Sequence, residues 1–271
     1  MNQISSRNKP KVLFVVPHPD DLEFGVGIIC IEALKAGFEV VEVVMTGGEY
    51  GTKLNDFKGV RIKRIRAREL ENSIKVYEKY LGKSIKLVKL GFIDGHLRLN
   101  RKNLNKIIDL LKREKPKYIF IPDPFFPVDF HNDHINTGKL IYIAAKKTKA
   151  ERFLKKIFFY YTFKPNFNIR CNFKDINIVV RALGAHKSQM SPFFLKLYRN
   201  YMKLSLLISF IIRGAFSIKI RSLDIFSEAF FQENEIKSLT DIIKYSFFKK
   251  WLPDLEKENR FYPTPKELNL I

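Results

Sequence analysis

Five short apolar runs, alternating with longer helix-like segments between Lys11 and about Phe163, constrain the fold of this chain more than any other feature. The runs cover residues 11–16, 39–45, 86–90, 118–122 and 157–162, and they are rich in Val, Ile, Leu and Phe. They show little in/out alternation, which is the pattern of strands buried on both faces of a parallel sheet. Between two of them, Leu104, Ile107, Ile108 and Leu111 repeat at helical spacing and mark one apolar face. Alternating strands and helices imply right-handed βαβ units. The expectation is therefore an α/β fold: a Rossmann-like, doubly wound, mostly parallel sheet with helices on both faces. After about residue 165 the pattern changes. Residues 177–190 read as helical, 193–220 mix aromatic, aliphatic and cationic residues, and 235–271 read as a wrapping tail. With 271 residues the chain is long enough for one full core. We expect one domain over 1–235, with 236–271 a C-terminal extension packed on it.

Two polar clusters follow two of the apolar runs. Pro17-His18-Pro19-Asp20-Asp21 follows the first, and His131-Asn132-Asp133-His134 follows the fourth. Ligands of open α/β sheets bind beyond the carboxyl ends of the strands, where both clusters fall. The chain has five histidines, and three of them lie in these clusters. One histidine and one aspartate from the first cluster, joined by a histidine from the second, make a three-ligand zinc site with a position left for water. Neighbouring residues of an extended loop point in different directions. If Asp21 joins His18 on the metal, Asp20 is left to face the water and serve as general base. If His134 is the third ligand, His131 is free to stabilise an oxyanion or give a proton to a leaving amine. Asp133 would then hold an imidazole in one tautomer. Singly, each cluster has an ordinary explanation, since a strand-end histidine is often a hydrogen-bonded loop residue and Asp-Asp often caps a helix. Together at two strand ends they favour a metal site.

Lys plus Arg number 49 against 28 acidic residues, a net charge of +21. Such a field favours anionic partners, although a solvated lysine-rich surface explains it equally well. The cations are scattered and no nucleic-acid-binding module accompanies them, so no specific nucleic-acid partner is expected. Cys30 and Cys171 do not make a disulfide framework, and residues 1–11 lack the apolar core of a signal peptide. The apolar stretch 204–212 is too short to span a bilayer, which needs about 20 residues. The expected location is cytoplasmic, with peripheral contact to an anionic membrane through the segment 193–220 left open.

These residues resemble the PIG-L/LmbE family of zinc-dependent N-acetylglucosaminyl deacetylases. Pro17 to Asp21 and His131 to His134 match its two metal signatures. Thr46-Gly47-Gly48-Glu49, Arg66-Ala67-Arg68-Glu69, Leu90 to Gly95, His186-Lys187-Ser188-Gln189 and Glu228-Ala229-Phe230 resemble its weaker motifs in the same order. The resemblance covers about Lys11 to Phe231. It implies that His18, Asp21 and His134 bind Zn2+, with Fe2+ an alternative, and that Asp20 is the base. His131 would stabilise the intermediate with Asp133 supporting it, and Arg66 and Asp94 would contact sugar hydroxyls. The implied substrate is an N-acetylated amino sugar, with lipid- and nucleotide-linked forms both open, and the oligomeric state is open as well. Asn132 stands where the family commonly has proline, and Ser73 where it has alanine. Two other functions compete: a hydrolase of another amide or a phosphoester, and a basic membrane- or nucleic-acid-binding protein with a vestigial site. The intact ligand set and Asp20 favour the enzyme.

Overall fold

The computed structural model describes residues 9–223. The expected strands are present: β1 (Lys11–Val16), β2 (Glu39–Thr46), β3 (Ile85–Phe92), β4 (Tyr118–Pro122) and β5 (Lys156–Tyr160). They pair in parallel in the order β3-β2-β1-β4-β5. The sheet continues with β7 (Ser217–Leu223), antiparallel to β5, and closes with β6 (Phe167–Arg170), antiparallel to β7. The central strands are buried from their second residue onward, as their apolar runs require.

Helices cover both faces. On one side α3 (Arg101–Glu114) and α4 (Asn132–Lys147) bury Leu104, Ile107, Leu111, Leu140 and Ile141 against Leu13, Val43 and Ile119. On the other, α1 (Gly27–Lys35), α2 (Val60–Leu81), α5 (Ile176–Leu183) and α6 (Pro192–Arg213) share a second core with Phe14, Val44 and Phe120. The strand order reverses between β1 and β4, which makes the gap beyond their carboxyl ends the switch point of the sheet.

The C-terminal elaboration differs in detail from the sequence expectation. Helix α5 stops at Leu183 and not at 190, because residues 184–190 turn back so that the Ser188 N–H and hydroxyl can both bond Glu69, each at 2.7 Å. The segment 193–220 is one long helix, α6, and the start of β7. Ser191 caps α6 by accepting from the Phe194 N–H, and Gly214, at φ +67°, lets the chain turn out of it. The late motif at 228–230 and the proposed extension 236–271 lie outside the described residues. Among the described residues no helix is long and apolar enough to cross a membrane.

Candidate metal centre

The loop after β1 is short and tightly tied. The Thr46 N–H and hydroxyl both donate to the Pro17 carbonyl, each at 2.9 Å, which fixes the end of β2 against it. Directly after Asp21 the chain winds into a π-helical turn, Leu22–Val26, before α1 begins. Wide turns of this kind re-aim side chains and cluster at functional sites. Gly25 sits in that turn, where a Cβ would lie 2.7 Å from the Tyr160 ring and 3.2 Å from that of Tyr161. The loop after β4 ends at His131, whose Nδ1 accepts from the Asp133 N–H at 3.2 Å and so caps α4. His134 follows in the first turn.

Three donor atoms from the two loops converge. Asp21 Oδ2 lies 3.0 Å from His18 Nδ1 and 3.3 Å from His134 Nε2, and the two nitrogens are 3.2 Å apart. All three side chains are buried. Ligands around a tetrahedral ion bound at about 2.0–2.1 Å stand roughly 3.4 Å from one another, so this donor triangle fits a small divalent cation. Each imidazole also has a carboxylate on its far nitrogen. His18 Nε2 is 3.1 Å from Asp94 Oδ1 and 3.5 Å from Asp133 Oδ2, while His134 Nδ1 is 3.2 Å from Asp129 Oδ2. Carboxylates so placed orient metal-ligating imidazoles and increase their basicity.

The electrostatics suit positive charge at this point. Burial opposes ionisation of His18, yet hydrogen bonds to Asp133, Asp21 and Asp94 outweigh it and raise its pKa well above the ordinary value. Burial likewise opposes His134, and the Asp21 carboxylate overcomes it and raises that pKa as well. Asp21 moves the other way: burial would push its pKa up, but His134 and His18 hold it far below the usual carboxylate range. For Asp94 burial is again overcome, here by His18, the Tyr50 N–H and Arg66, and the pKa falls to about 2. His131 differs. Burial and the charges of His18 and His134 lower its pKa.

Asp20 is not part of the donor triangle, and its Oδ1 is held at 2.6 Å by Arg66 Nη2. Arg66, on α2, is buried beneath the loop 47–51. That loop wraps the guanidinium so closely that a Cβ on Gly48 would stand 2.3 Å, and one on Gly51 2.2 Å, from Arg66 Nη1. Gly48 also has φ +65°, a region that suits glycine. Asp94 accepts the Tyr50 N–H at 3.0 Å and gives its own N–H to Glu49, so the two loops rimming the site are joined. Arg66 and Asp94, expected on sugar hydroxyls, are thus bonded to Asp20 and His18. The Asp133 carboxylate takes the N–H groups of Gly95 and Leu97, at 2.7 and 3.2 Å, and approaches His18. Its hydrogen bond to His131 is made by the backbone N–H, while the carboxylate charge favours the protonated form of that ring.

Three contributors were not visible from the sequence. Asp129 lies two residues before His131 in a Pro-Val-Asp-Phe loop that matches no metal signature. Tyr161, in the left-handed region at φ +52°, stacks on His134 with centroids 5.7 Å apart. Glu23, fully buried, accepts the Ser73 hydroxyl and lies 3.4 Å from His186 Nε2. The departure at Ser73 therefore supplies a hydrogen-bond donor to a buried acid. Gln189 Nε2 donates to the Gly51 carbonyl at 2.8 Å, so the late His-Lys-Ser-Gln motif braces the loop around Arg66.

Fold and site together define a Rossmann-like α/β protein that gathers a His–Asp–His donor set at the switch point of its sheet. Residues 13–145 match the family model described as PIG-L: GlcNAc-PI de-N-acetylase. Over these residues the chain carries the signature of the PIG-L/LmbE family, and it is similar to that family's deacetylases beyond them. It is 28% identical over 207 residues to diacetylchitobiose deacetylase of Thermococcus kodakarensis, covering 71% of this chain and 75% of that protein. It resembles the solved N,N'-diacetylchitobiose deacetylase from Pyrococcus horikoshii at a TM-score of 0.70 and 25% identity, covering 86% of this chain and 88% of that one. A 4-carboxy-2-hydroxymuconate hydratase from Pseudomonas putida shares the fold at a TM-score of 0.63 and 14% identity, over 79% of this chain and 96% of its own. The fold alone therefore does not fix the reaction, and the site has to.

Proposed function

We propose that this protein is a metal-dependent deacetylase that hydrolyses the N-acetyl group of an N-acetylglucosamine-type sugar. The observation that carries this reading is the triangle of His18 Nδ1, Asp21 Oδ2 and His134 Nε2, with edges of 3.0–3.3 Å. Similarity to the two diacetylchitobiose deacetylases supports the substrate class. His18, Asp21 and His134 hold the cation. Zinc suits this donor set, and ferrous iron has overlapping preferences. Once bound, the cation acidifies water and polarises the amide carbonyl.

The remaining work falls to the protein. Asp20, fixed by Arg66 through one oxygen, takes the proton from the attacking water. His131 Nδ1 is occupied as an acceptor by the Asp133 N–H, so the ring's proton sits on Nε2, where it can hydrogen-bond the developing oxyanion, while the proton that Asp20 takes from the water is the one passed on to the leaving amine. Tyr50, His96 and Ile93, exposed on the adjoining rim, are placed to meet the sugar. The test is acetate release from N,N'-diacetylchitobiose by zinc-loaded and by chelator-stripped protein. Release by the loaded form alone is expected. Equal release by both forms, or none by the loaded one, would overturn the assignment.

A further inference from the structure

Helix α6 runs for 22 residues, about 33 Å, and turns an apolar face to water along its whole length. Tyr198, Leu206 and Ser209 point inward and are buried. On the opposite side stand Phe193 (77% exposed), Leu197 (56%), Tyr201 (63%), Leu204 (57%) and Ile211 (73%), at spacings that keep them on one face. Isolated exposed apolar residues are ordinary, but a continuous stripe of this length marks a contact surface. Lys196 and Lys203 are exposed along one flank, and Lys219 follows on β7. From Ile176 to Leu223 the chain contains no Asp or Glu, while it carries eight Lys and Arg residues.

We propose that this face is an interfacial helix that seats the protein on an anionic lipid surface, with its apolar side chains among the acyl chains and its lysines at the phosphates. A helix with an apolar face flanked by cations has the composition for lying in a membrane interface. The charge decides against a second copy of this chain as occupant. Pairing two such faces would set cation against cation with no acid from this stretch to answer them.

The seat is mechanically joined to the metal centre. Tyr198 Oη donates to the carbonyls of Glu23 and Phe24, at 3.1 and 3.2 Å, in the turn that follows Asp21, and Phe24 packs edge-on against Phe194 and Tyr198. A cavity of about 420 Å³ separates Tyr201, Met202 and Ile208 of α6 from Val128, Tyr161 and Thr162 at the carboxyl end of the sheet. Docking through α6 would therefore bring this cavity, whose Tyr161 stacks on His134, close to the lipid boundary. The inference rests on α6 and not on the catalytic reading.

The test is flotation of the full-length chain with vesicles of phosphatidylglycerol and phosphatidylcholine in equal parts, beside pure phosphatidylcholine, at near-physiological salt. Binding to the anionic vesicles is expected. The triple variant Leu197→Ser/Leu204→Ser/Ile211→Ser should partition at least about tenfold more weakly. It should still hydrolyse a water-soluble substrate at the wild-type rate. The single variant Leu204→Ser should show a smaller loss in the same direction. No flotation of the full-length chain would overturn the proposal, as would undiminished flotation of the triple variant. A dimer in sedimentation that the triple variant dissolves would assign the face to a second copy instead.

Discussion

The metal centre and the outer face of α6 invert the usual rule of burial in opposite ways. At the centre, His18, Asp20, Asp21, Arg66, Asp94, Asp133 and His134 are all buried, and each has a charged or hydrogen-bonding partner within 3.5 Å. On α6, aromatic and aliphatic side chains stand in water with polar flanks. Exposed single apolar residues or surface charges carry little information, whereas buried charge and contiguous exposed apolar area do. The contrast teaches that the two regions spend folding stability differently. The first is a network in which removing one member strands the rest, and the second contributes almost nothing to the fold.

That contrast can be broken experimentally, and the largest effect belongs to the donor triangle. His134→Ala should reduce bound zinc, measured by mass spectrometry of the desalted protein, and acetate release together to background. Retained stoichiometric zinc with lost activity would remove His134 from the ligand set. Arg66→Ala should come next, because it leaves the Asp20 carboxylate buried without its partner. Breaking such a pair costs about 3–5 kcal/mol, and urea unfolding should register it. A loss under about 1 kcal/mol would mean that the pair is screened by solvent. Asp129→Asn should weaken zinc binding by about 10- to 100-fold in a chelator competition, since it removes the charge behind His134. An unchanged affinity would show that Asp129 serves only to bond the His131 N–H, at 2.9 Å.

Glu114 supplies a control remote from both regions. Burial would raise its pKa, but Lys86, Lys11 and Arg113 surround it and lower the value to about 2. A carboxylate with a depressed folded-state pKa stabilises the fold above its unfolded pKa, near 4.5, and loses that contribution as pH falls toward 2. Glu114→Gln should flatten the acid limb of the stability curve in that window while leaving metal affinity unchanged. The smallest effect should come from Leu204→Ser, within about 0.5 kcal/mol of wild type, because its side chain is already in water. A larger loss would mean that this face is covered within the protein and would sharpen the contrast in the opposite sense.

The sequence made the parallel half of the sheet readable because those strands are buried on both faces and the helices between them carry a clean period. Strands β6 and β7 were not readable. Ser217–Leu223 alternates apolar residues with Lys219 and Arg221, and the cationic pattern conceals that Arg221 turns inward to Asp123, 3.2 Å away. The His-Pro-Asp-Asp and His-x-Asp-His clusters were legible as a site because each packs several ligand-type residues into a short run in the connection that follows a buried strand. Asp129, Tyr161 and Glu23 were not, because each acts on a partner brought to it by the fold, and a lone Asp, Tyr or Glu leaves no spacing to recognise. Arg66 stood in a run with Arg61, Lys63, Arg64 and Arg68, and only the structure separates the buried one from its more exposed neighbours.

The most direct test of the account is Asp20→Asn, assayed for zinc content and for acetate release from N,N'-diacetylchitobiose in the same preparation. Asp20 bonds Arg66 and is not one of the three converging donors, so the variant should keep its zinc while acetate release falls by about 10²- to 10⁴-fold, the contribution of a positioned general base. Release at the wild-type rate, or loss of the metal with the activity, would contradict the division of labour between Asp20 and Asp21 on which the account rests.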